Sequence, residues 1–139
     1  MSSLARARVA GTLLLLVAAW PLVHRQLVVH QDVDPWKLYG FAMYCTPHSV
    51  AVDLIDRSGP RAREIGRREL PPALRDSFDR FVARRSTLGR FVSPEPLARE
   101  VLDAFPEVRT LSVAVSVSSL PFGGDSLERR TTFHRFDRP

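Results

Sequence analysis

The chain has 139 residues, 45% of them hydrophobic and 25% charged, which suits one small folded domain and excludes a multidomain enzyme or a wholly disordered protein. Twenty basic residues against fifteen acidic ones give a formal charge of +5, but Lys37 is the only lysine, asparagine is absent, and Ile55 and Ile65 are the only isoleucines. That pattern fits codon bias in a GC-rich genome better than selection for a polyanionic partner.

Arg6 and Arg8 precede an apolar run from Val9 to Val23, interrupted only by Gly11, Thr12 and Pro21. As a helix this run reaches roughly 22 Å, short of the roughly 30 Å hydrocarbon core of a bilayer. The continuation from His24 to Val29 makes up the length if Arg25 snorkels to the head groups, with Trp20 at the outer interface. Residues 1–29 are therefore predicted to be a cytoplasmic tail and transmembrane signal anchor, single-pass, in a bacterial inner membrane. The positive-inside rule sets Arg6 and Arg8 against Arg25 and Lys37, and the short N-terminal tail favours a cytoplasmic N-terminus with the C-terminal domain outside. The competing reading is a signal peptide cut after Ala19 to release a secreted soluble domain; against it, apolar character resumes beyond that site.

Residues 30–47 form an aromatic juxtamembrane segment. Asp34 and Pro35 have the pattern of a helix start, with Gly40 and Pro47 limiting its length. Trp36, Tyr39, Phe41 and Tyr44 combine apolar bodies with polar tips or lie beside residues that do, which suits either a membrane-surface or partner-facing collar or simple packing beneath the domain.

Residues 48–139 read as an extracytoplasmic α+β domain. Val50, Val52 and Leu54 mark a strand; a turn at Ser58-Gly59-Pro60 returns a second strand over Arg61 to Ile65. From Ala73, the residues Leu74, Phe78, Phe81, Val82 and Leu88 recur at helical spacing, with Asp76, Arg80 and Arg84 four apart on the other face. Ser93 as N-cap, Pro94, Glu95 and the stop at Phe105-Pro106 delimit a second helix with Leu97, Val101, Leu102 and Phe105 inward. In Thr110 to Leu120, Leu111, Val113, Val115 and Val117 share one face and Ser112, Ala114, Ser116 and Ser118 the other. Arg129 to Phe136 is the last strand. The order ββααββ predicts a four-stranded antiparallel sheet with two helices on one face and a serine-rich face left open as a candidate interaction surface.

Candidate chemistry is sparse. Met43, Cys45 and His48 offer thioether, thiolate and imidazole to a soft metal such as Cu(I), the basis of an alternative reading as a periplasmic thiol- or metal-dependent protein. The plainer reading is a lone thiol, which outside the cytoplasm commonly forms an intermolecular disulfide. Arg57, Arg61 and Arg63 crowd the first hairpin and are candidates for contact with anionic head groups. Nucleic acid is not an expected partner, because the helical aromatics fall on the buried stripe. His134 and Asp137 are the one pair worth inspecting for acid–base geometry. No Gly-x-Ser-x-Gly, glycine phosphate loop or His-Glu-x-x-His occurs, and no cofactor is called for. The expectation is a non-catalytic accessory or binding module of a larger membrane assembly, with a membrane-protein partner.

Overall fold

The computed structural model describes residues 3–34, 48–120 and 125–139. Helix α1 spans Ser3–Gln31, 29 residues and about 43 Å at 1.5 Å per residue. It runs through Pro21 and supplies the length that residues 9–23 lack alone. Its Thr12 hydroxyl donates to the Arg8 carbonyl at 3.0 Å, so the side chain's proton is satisfied within the helix. Apolar side chains lie all round it: the consecutive residues Leu13 to Val17 are 58–72% exposed, so none of its faces packs on the domain there.

The domain contains β1 (His48–Asp56), β2 (Arg63–Ile65), α2 (Pro72–Leu88), α3 (Glu95–Ala104), β3 (Thr110–Ser119) and β4 (Glu128–Asp137). One antiparallel sheet has the order β2-β1-β3-β4, with the two most apolar strands central and the arginine-rich β4 at an edge. The two helices cover one face. Leu54, Val113 and Val115 from the sheet meet Leu74, Phe81, Leu97 and Val101 from the helices in a single core.

Local chemistry sets the element ends. β2 is shorter than the expected Arg61 to Ile65, because Asp56 accepts from the Ser58 amide at 2.8 Å and the Arg57 amide donates to Thr110, which carries the chain past the hairpin before it can turn back. That contact with Ser58 also holds the Asp56 carboxyl below its usual range. The Ser58 hydroxyl accepts from the Arg109 and Thr110 amides and ties this turn to the start of β3. The N-cap of α3 is Pro94, one residue after the expected Ser93, so the helix begins at Glu95; the Ser93 hydroxyl still accepts from the Glu95 amide at 3.2 Å. The Arg138 guanidinium donates to the carbonyls of Leu102, Phe105 and Pro106 and closes the other end of α3.

Three expectations need correction. Leu88 is exposed, and the buried stripe of α2 ends instead at Arg85. Arg80 reaches Ser77, while the carboxylate that pairs on α2 is Asp79, with Arg67 at 2.5 Å. Neither α2 nor α3 covers the serine-bearing side of the sheet, yet Ser112 and Ser116 are only 3% and 2% exposed. Short side chains on a central strand sink between longer neighbours: Ile55 and Arg135 flank Ser112, and the Thr131 hydroxyl is 2.8 Å from that of Ser116. What this face presents to solvent comes largely from β4, where Phe133 is 59% exposed between Thr131 and Arg135.

Candidate functional site

The geometry converges where α1 meets the domain. After Gln31 the chain turns sharply at Asp32, which has φ of 54°, a left-handed conformation that aspartate and asparagine tolerate better than most residues. The turn drives Asp32 and Val33 inward; both are buried. Asp32 Oδ2 accepts from Arg90 Nε at 2.7 Å and its Oδ1 from Arg130, so one carboxylate bridges the turn after α2 and the start of β4. The Asp34 amide donates to the Thr87 carbonyl, and Gly89 packs directly on the backbone of Gln31 and Asp32. Arg130 pairs across the sheet with Val117, and β1 begins, β3 ends and β4 begins at that same end. Exposed Phe91 and Leu127 lie in segments bordering it.

Replacing Asp32 by asparagine keeps the turn's preference but removes the only carboxylate that contacts Arg90 and Arg130 among the described residues. Both arginines are partly solvated, so screening reduces the loss below that of a fully buried pair, to about 2 kcal/mol. Urea denaturation of the full chain in an uncharged detergent is expected to show this lower midpoint.

Beside this joint is a cleft of about 470 Å³ between the end of α2, the start of α3 and β4, lined by Arg85, Arg90, Ser93, Glu95, Thr132 and His134 among others. Arg85 is brought here because it occupies a stripe position of α2, four residues after Phe81. It is 5% exposed; one terminal nitrogen donates to the Val92 carbonyl at 3.0 Å, and its Nε is buried without an acceptor. The Nε2 of His134 is likewise buried and unpartnered. Burial lowers the Arg85 pKa below its usual value against the pull of Asp32. Burial, with a smaller contribution from Arg85, lowers that of His134.

The lowered His134 pKa has a definite linkage sign. Between the folded-state value and the ordinary 6.5 the unfolded chain binds the proton more readily, so stability falls as pH is lowered from about 7 through that interval. His134→Gln is expected to remove this component, as measured by urea midpoints from pH 7 to pH 5.

His134 and Asp137 do not form a pair. They are three residues apart on β4 and therefore face opposite sides of the sheet, and Asp137 instead accepts from the Thr110 hydroxyl at 2.7 Å and is also contacted by Arg135. Trp36, Tyr39, Phe41, Met43, Tyr44 and Cys45 lie outside the described residues. Of the suggested metal ligands only His48 is described, half-buried with an unpartnered Nε2, and the described residues contain no group of three or more His, Cys, Asp or Glu able to hold a metal ion. Arg57, Arg61 and Arg63 lie at the end of the sheet remote from the joint. Asp56, beside Arg57, pairs with Leu111, six residues and about 20 Å along β3 from Val117, and Arg63 is bound to Glu69 at 2.8 Å.

The cleft's lining is rich in hydrogen-bond donors and positive charge. Comparisons with protein-family models, with curated proteins and with solved structures found no match, so its meaning rests on this geometry.

Proposed function

We propose that this protein is a membrane-anchored, non-catalytic binding module: α1 crosses a bacterial inner membrane with its N-terminus in the cytoplasm, and the α+β domain sits outside as an accessory to a larger membrane protein. The observation that carries this reading is the contrast between the two ends of α1. Its middle is apolar on every side and unpacked, as suits a helix solvated by lipid, whereas its C-terminal end is fastened to the domain through Asp32, Asp34 and Gly89. An apolar helix held this way keeps the domain at a fixed height at the membrane surface, where exposed Phe91 and Leu127 face the interface or a neighbouring chain.

Protease added to spheroplasts is expected to digest the domain while sparing residues 5–31, and mild-detergent extracts of native membranes are expected to carry the chain in a species larger than its 15.7 kDa monomer. A protected domain would overturn the orientation, and a monomer in every mild detergent would overturn the accessory role.

A further inference from the structure

We propose that the cleft between α2, α3 and β4 binds a phosphate group, with Arg85 and Arg90 supplying charge and Ser93, Thr132 and His134 supplying neutral hydrogen-bond donors. The charges around Asp32 do not balance. Arg85, Arg90 and Arg130 gather around Asp32, whose two oxygens are already committed to Arg90 and Arg130, so the cluster holds a surplus of two positive charges. Glu95 also lines the cleft, but one of its oxygens is drawn to Arg99 on the exposed side of α3 at 2.5 Å.

Arg85 also carries an unmet donor. Leaving a guanidinium N–H buried without an acceptor is costly; Arg85 and His134 both line the cleft, and their unpartnered nitrogens, closed to solvent as they stand, gain an acceptor when the side chains turn toward an anion bound there. The ten-residue helix α3 begins at Glu95 in the same lining and adds the positive end of its dipole. Two arginines around one pocket match the several oxygens and double charge of a phosphate, and the volume leaves room for the rest of an ester.

Arg90 belongs to the Gly89–Phe91 turn, which touches the end of α1 and exposes Phe91 to 63%. If the phosphate comes from a lipid head group, its delivery rests on the anchor reading above; binding of a soluble phosphate ester does not.

The test uses the full chain in uncharged maltoside micelles at constant ionic strength, titrated separately with inorganic phosphate and with short-chain phosphatidylglycerol while the Arg85 Nε–H and His134 ring signals are followed by NMR. A saturable shift with inorganic phosphate identifies a site for a free phosphate group, and saturation with the lipid alone identifies a head-group site; both support the proposal. Arg85→Gln is expected to weaken binding by about tenfold or more, the loss of one charge-assisted hydrogen bond. Thr132→Val and His134→Gln provide milder variants should Arg85→Gln fail to fold, with losses of about threefold to tenfold. No saturable shift with either titrant, or affinities unchanged in all three variants, would overturn the site whether or not α1 spans a membrane.

Discussion

Val113→Asp is expected to unfold the domain. Val113 is fully buried on the helix-covered face of β3, directly across from Leu54 on β1 and His134 on β4. An aspartate there puts a carboxylate into the core, where the single ring nitrogen of His134 across the strand does not replace the water it loses, at a cost of several kcal/mol. Small domains have only about 5–15 kcal/mol of stability in total, so little or none of the folded state should survive. Val113→Ala removes two methyl groups without adding charge and should cost about 2–3 kcal/mol while preserving a cooperative transition. Ser118→Asp tests the alternation itself: it lies on the other face beside Arg129 and should shift stability by no more than about 0.5 kcal/mol. Urea denaturation of the three variants checks the order, and a Val113→Asp protein with a transition near that of the parent would contradict the core described above.

Gly89→Ala is expected to detach α1 from the domain while leaving the core folded. Gly89 has φ of 57°, where a side chain costs about 1–2 kcal/mol, and the space beside it is occupied. A β-carbon there would fall 2.5 Å from the Asp32 carbonyl carbon and 2.7 Å from its oxygen, and nearer still to the Gln31 carbonyl oxygen. These are backbone atoms that no rotamer change can move aside, so the joint must open. The core cluster does not include Gly89 and should remain assembled. The amide of Asp34, which donates to Thr87, should lose much of its protection from hydrogen exchange, and protease should cut between α1 and β1 sooner than in the parent. Unchanged exchange at Asp34 would show that the joint tolerates what its geometry forbids.

Much of this architecture is legible in the sequence. The alternation of valine with serine in β3, the Ser-Pro-Glu start of α3 and the apolar spacing of α2 are local signals, and each element forms within a residue or two of its signal. The arginine-rich last strand takes an edge, where charge is tolerated on both faces. Sheet order was not legible, because nothing local tells β1 to pair with β3 as well as with β2. The joint was hidden for the same reason: Asp32 meets Arg90 and Arg130 across 58 and 98 residues of chain, a distance that periodicity does not span. The cleft did leave a trace. Leu74, Phe78, Phe81 and Arg85 follow at intervals of four, three and four, so a guanidinium stands in the apolar stripe, but its charge invites assignment to the solvent face. The separation of His134 from Asp137 was also readable, since an offset of three on a strand places two residues on opposite faces.

The proposed binding role requires that α1 be retained and lie in lipid. The direct measurement is the mature N-terminus of the protein, determined by mass spectrometry on carbonate-washed membranes and on the soluble fraction. A membrane-retained chain that still contains the whole segment 5–31 is the result predicted by a helix apolar on all sides and fastened to the domain at Asp32. A soluble product beginning at Trp20 would contradict it, because the helix would then be a removed leader and the joint at Asp32 would hold only its remnant.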